Sequence, residues 1–228
     1  MEPTRRGVWP SGRHVLGALA FALPLLVWPS SLSFFELPKA VALQAGVLAL
    51  TGMLALRLAA VGARSLRVSR PLIAIVGFGA WAALSTALSI HVPTAVVGSA
   101  ERAEGLLTLV AYVALALAAV QLVRRFDDLY MLAGLVSLSG ILVTGYALVQ
   151  AGGFDMFAWE MPFGPGRPFA TLANPDFLGG FLALVWPLAA AGSFERPPRA
   201  GERGWVGASL TCVLAGFVIM RALATARV

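Results

Sequence analysis

Residues 106–123 read LLTLVAYVALALAAVQLV, a stretch without a single charge. A hydrocarbon layer about 30 Å thick takes roughly 20 apolar residues at helical rise, so this run predicts a helix that crosses a membrane. It is apolar on every face, as a helix packed among lipid and other helices should be. The same texture recurs along the chain. Further spans are predicted at roughly 15–34, 39–60, 71–90, 128–150, 177–193 and 204–223, about seven in all. No alternating apolar and polar pattern suggests a barrel, and backbone hydrogen bonding in lipid then leaves helices as the spanning structure. The expected fold is an all-α, polytopic transmembrane helical bundle. A tail at 1–14 precedes a membrane region at 15–228 that carries a long external loop at 151–176.

Composition agrees. Hydrophobic residues make up 59% of the 228 and charged residues 12%, too little polar surface to clothe a soluble domain. The single cysteine, Cys212, lies in an apolar run and reads as a buried thiol, which leaves neither a disulfide framework nor a cysteine metal site. The net charge of +6 is spread between apolar runs without interleaved aromatics, so nucleic acid is not an expected partner. The start MEPTRRGVWPSGRH and the apolar run after it resemble a signal peptide. More spans follow and no small-residue cleavage site stands out, so the run is read as a retained first helix.

Arginine and lysine placement sets the expected orientation. Arg5, Arg6, Arg13, Arg57, Arg64, Arg67, Arg70, Arg124, Arg125, Arg196, Arg199 and Arg203 fall on one side of the predicted spans, twelve in all. Lys39, Arg102, Arg167, Arg221 and Arg227, five in all, fall on the other. The richer side faces the cytoplasm, which puts the N-terminus there. Arg57 and Arg221 sit near span ends, where long side chains can snorkel.

On the external side, AGGFDMFAWEMPFGPGRPFATLANPD at 151–176 mixes aromatics with glycine and proline, a composition suited to the headgroup layer. Asn174, Pro175 and Asp176 read as a helix start: asparagine caps, proline fits the first helical position, and the acid complements the positive end of the helix. Arg167 lies upstream between Gly166 and Pro168, on the face where arginine is disfavoured. ERAEGLLTLVAY at 101–112 places Arg102 and Glu104 before the fourth predicted span. Arginines beside helix N-termini favour a phosphate or pyrophosphate.

Two of these segments resemble a known family. RPFATLANPDFLGGFLAL at 167–184 is similar to the segment shared by O-antigen ligases and O-antigen polymerases, in which an arginine precedes Gly-Thr-Phe-Gly-Asn-Pro-Asn-Phe-Leu-Ala and a membrane helix. RAEGLLTLVAY at 102–112 is similar to that family's earlier Arg-x-Glu-Gly-Leu segment. ALATARV at 222–228 resembles the start of its Thr-x-Ser-Arg-Gly-Ala segment, with Thr225 and Arg227 in place and the serine missing. Three departures stand out: Ala170 and Ala173 occupy glycine positions, and Asp176 an asparagine position. Family members continue through more helices and a large external loop with a histidine, so the chain is expected to be the N-terminal part of a longer protein. His14 and His91 do not occupy such a loop and are given no catalytic role.

The resemblance implies a bacterial inner-membrane glycosyltransferase of the cell envelope, active in lipopolysaccharide or other polysaccharide synthesis, with its site on the periplasmic side. Its donor would be an undecaprenyl-pyrophosphate-linked glycan and its acceptor a lipid A core, a glycan or a protein. Arg167 and Arg227 are the expected catalytic residues; Arg102, Glu104, Thr171 and Asn174 are expected to bind substrate. Neither a metal nor a cofactor is called for. Two other readings remain open: a membrane transporter or anion-handling protein, and an inactive truncated fragment. Transport predicts ionisable residues near the midplane, whereas the spans offer little beyond Gln44, Gln121 and some hydroxyls.

Overall fold

A computed structural model of the protein describes residues 8–31, 33–62, 66–99, 103–155, 157 and 167–195. All regular structure among them is helical: α1 (Val8–Ala22), α2 (Glu36–Val61), α3 (Arg70–Ala87), α4 (Val92–Val97), α5 (Leu106–Leu122), α6 (Phe126–Ala151) and α7 (Pro175–Glu195). The chain divides into two compact units, the first Met1–Leu19 with Val27–Asp128 and the second Ala20–Leu26 with Leu129–Val228.

Three helices, α2, α3 and α6, are long and apolar enough to cross a membrane. Two more predicted spans are helical, α5 at 17 residues and α7 at 21. Among the described residues, three rather than seven helices are thus identified as long and apolar enough to cross. The predicted span at 15–34 needs correcting at both ends. α1 already begins at Val8, because Pro10 fits a first helical turn that needs no N–H there. It stops at Ala22, ahead of Pro24, and the chain turns, with Leu25 and Leu26 both donating to the Ala22 carbonyl. Span 204–223 lies outside the described residues.

In the first unit α2 begins at Glu36, whose side chain accepts from Ser33 Oγ and whose N–H donates to it at 3.4 Å. Leu43, Val47 and Leu50 recur on one buried face of α2. α5 runs parallel to α2: Gln44 bonds Thr108 near the start of both, and Leu50 to Arg57 share a hollow with Ala118 to Leu122 near their ends. α3 runs the other way, with Gly79 against Val113 and Arg67, just ahead of α3, bonded to Gln121 near the end of α5. Early α1 opposes α2, since Gly12 meets Leu122 and Leu19 meets Gly46. Among the described residues, Arg57, Arg67, Arg70, Arg124 and Arg125 therefore fall where α2 and α5 end and α3 begins. Much of α3 is bare hydrocarbon; Trp81 is 70% exposed, which water would penalise and lipid would not.

The second unit is built on α6 and α7. Val143 and Ala147 of α6 and Leu178 and Leu182 of α7, each pair one turn apart, form a buried core. Ala170, from the chain entering α7, is the fifth member of that core. α7 continues past Pro187, which removes one helical hydrogen bond.

Candidate functional site

The end of α6 and the start of α7 together fix the Arg167 segment. α6 closes with Phe154 N–H donating to Val149 O at 3.1 Å and Gly153 N–H to Gln150 O at 3.0 Å, a Schellman arrangement. Gly153 sits at φ 76°, where a side chain would be strained. The turn brings Asp155 back over α6. Tyr146 Oη donates to Asp155 Oδ1 at 2.9 Å, Gln150 Nε2 to Oδ2 at 2.8 Å, and the Phe157 backbone N–H to Oδ1 at 3.1 Å. Tyr146 and Gln150 can share this task because they are one helical turn apart.

Gln150 also reaches forward in the chain. Its Oε1 accepts the backbone N–H groups of Phe169 at 3.1 Å and Ala170 at 2.7 Å. These two donors lie in a buried turn, closed by Leu172 N–H on Phe169 O, and would otherwise be stranded. Thr171 Oγ1 donates to the Pro24 carbonyl at 2.6 Å. Asn174 Oδ1 accepts the Asp176 N–H at 2.8 Å, and its carbonyl accepts Leu178 N–H, so Asn174 caps α7 as its sequence context predicts.

Arg167 opens this segment, directly before the fully buried Pro168. The side chain is half-buried and its Nε is out of solvent, without a hydrogen-bond partner among the described residues. A buried donor left unpaired costs about 1–3 kcal/mol, more when it carries charge. Ala170 and Ala173 both adopt positive φ, 50° and 66°, the left-handed region where glycine is comfortable and alanine is strained by about 1 kcal/mol. These are the two positions at which the resembling family carries glycine.

Glu104 belongs to the first unit and is exposed, immediately before the α5 cap residue Gly105. The chain there folds back on itself. A Cβ on Gly105 would lie 2.3 Å from Val96 O, and one on Gly98 would lie 2.5 Å from Glu104 N. Ala103, at φ 51°, donates its N–H to Ser99 O and accepts from Thr108 Oγ1 at 2.6 Å.

Of the residues expected from sequence to form a site, Arg167, Thr171 and Asn174 lie together on one short segment of the second unit. Glu104 stands in the first unit, and Arg102 and Arg227 lie outside the described residues. Thr171 and Asn174 each spend a side-chain oxygen on holding the segment. Tyr146, Gln150 and Asp155 are the participants that sequence reasoning misses. The available signal was slight: a glutamine at the end of an apolar run, followed by Gly-Gly and an acid. No known family model, curated protein or solved structure matches the chain. Among the described residues, no group of three His, Cys, Asp or Glu side chains could hold a metal ion.

Proposed function

We propose that this chain is a bacterial inner-membrane glycan transferase of the O-antigen ligase kind, with seven spans and a cytoplasmic N-terminus. In this reading Arg167 and Arg227 hold the pyrophosphate of an undecaprenyl-linked donor, Arg102 and Glu104 line the outer wall, and Thr171 and Asn174 shape the loop. The acceptor hydroxyl attacks the sugar's anomeric carbon and the bond to the phosphate oxygen breaks. The hydroxyl proton is released, and undecaprenyl pyrophosphate departs with one more negative charge. Fixed guanidinium groups stabilise that charge more in the transition state than in the donor.

The observation that carries the reading is the Arg167 Nε, held out of solvent without a partner among the described residues, on a segment braced by hydrogen bonds. A diphosphate supplies the missing acceptor, and the start of α7 contributes its positive dipole end. The positive φ at Ala170 and Ala173 adds weight, because the backbone takes there the conformation that glycine would explain in the resembling family. Gln44 and Gln121, the polar residues a transporter would use, are engaged in hydrogen bonds to Thr108 and to the Arg67 backbone. That supports transfer over transport.

The test is glycan transfer in cells or reconstituted membranes with Arg167→Lys. Lysine keeps the charge but loses the two-pronged donor geometry, so transfer should fall about 100-fold with membrane abundance unchanged. Full transfer by Arg167→Lys would remove the residue from the mechanism.

A further inference from the structure

We propose that Asp155 is a positioning residue for Arg167, acting through the Gln150 amide, whose orientation it sets. The inference rests on the transfer reading above and adds to it a residue that never touches the donor.

An amide side chain has a donor end and an acceptor end, whereas a carboxylate only accepts and a backbone N–H only donates. Gln150 is clasped between one group of each kind. On one side Asp155 Oδ2 takes its Nε2 at 2.8 Å; on the other its Oε1 takes the N–H groups of Phe169 and Ala170 at 3.1 and 2.7 Å. With the amide turned over, Nε2 would face two N–H donors and Oε1 a carboxylate, so all three bonds would be lost together. Asp155 therefore decides which end Gln150 shows to the Arg167 segment.

Asp155 is itself aimed through its other oxygen. Its Oδ1 accepts Tyr146 Oη at 2.9 Å and the Phe157 N–H at 3.1 Å, which leaves Oδ2 for Gln150. Gly153, at φ 76°, turns the chain so that the carboxylate reaches back to both α6 side chains. The consequence then runs along the backbone to Arg167. Pro168, between Arg167 and the first of the two held N–H groups, has its φ locked by its ring and is fully buried. Fixing the Phe169 N–H thus fixes the point from which the Arg167 side chain departs, and Thr171 on the Pro24 carbonyl holds the far side of the same turn.

The experiment reverses the direction of one hydrogen bond. Asp155→Asn leaves a single acceptor oxygen for three donors, so one is stranded and the Gln150 amide is free to turn. Gln150→Glu sets two carboxylates against each other at hydrogen-bond distance, where they repel. Together the two substitutions restore the set: the new amide at position 155 donates to one oxygen of the new carboxylate at 150, whose other oxygen accepts the two N–H groups, and the pair keeps its one negative charge. Two readouts are taken on the full chain in lipid bilayers below its unfolding temperature. They are amide hydrogen exchange at Phe169 and Ala170, and the binding preference for undecaprenyl pyrophosphate over undecaprenol. Each single substitution should speed exchange at both amides about 10-fold and cut the preference about 10-fold, and the paired variant should bring both back to within about 3-fold. Should the paired variant fail to fold, Tyr146→Phe, which takes one donor from Oδ1, should shift both readouts about 3-fold in the direction of Asp155→Asn. Unchanged exchange in Asp155→Asn would overturn the proposal, as would a paired variant that recovers exchange but not the preference, since Asp155 would then be structural only. A preference missing from the unsubstituted chain would overturn the transfer reading instead, so the two failures are distinguishable.

Discussion

The chain entering α5, at Gly98 and at residues 103–105, is shaped by side chains that are missing, whereas the chain entering α7 at residues 167–174 is held by side chains that are present. In the first, Gly98 and Gly105 let backbone pack on backbone. In the second, Gln150, Thr171 and Asn174 each spend an oxygen on the segment. Both contain alanine at positive φ, so both store backbone strain. The difference lies in what each can offer a ligand. A loop closed by backbone contact is compact and leaves Glu104 in solvent, where its charge is screened. A loop braced by polar side chains can keep Arg167 Nε away from water without collapsing onto it.

That contrast predicts a graded set of responses to substitution. Gly105→Ala is expected to be the most damaging, because the new methyl falls on Val96 O; a loss of about 3 kcal/mol should appear in denaturant unfolding. A near-neutral result would mean the two backbones are not in contact. Gln150→Leu should cost about 2 kcal/mol by stranding the Phe169 and Ala170 N–H groups, and it should also lower transfer, since the Arg167 segment loses its brace. Loss of stability with transfer intact would separate the brace from the site. Ala173→Gly should work in the opposite direction. Relief of about 1 kcal/mol of strain, partly offset by the freedom glycine adds to the unfolded chain, should raise the unfolding temperature by about 1–2 °C. A fall would show that the alanine methyl packs more than it strains.

Much of the helical layout was legible in the sequence. α5 falls within its predicted apolar run, α2, α3, α6 and α7 match theirs to within three residues at each end, and Asn174 with Pro175 marked the start of α7, because a helix start uses local chemistry. The end of α1 was not legible from hydrophobicity, since the apolar run continues through Pro24 and Pro29. The prolines were the better signal. At the site, Arg167 could be singled out by its placement alone. The brace could not: Gln150 meets Phe169 and Ala170 across 19 and 20 residues, and that pairing exists only once the end of α6 has turned. The strained alanines are invisible by themselves, because alanine carries no mark of positive φ. Only the comparison with a glycine-bearing motif points to them.

The central claim is that Arg167 recognises a diphosphate. It is tested most directly by binding of undecaprenyl pyrophosphate and uncharged undecaprenol to the full chain in lipid bilayers. The account predicts a clear preference for the pyrophosphate that shrinks at least about 10-fold in Arg167→Lys. An undiminished preference in that variant would contradict it.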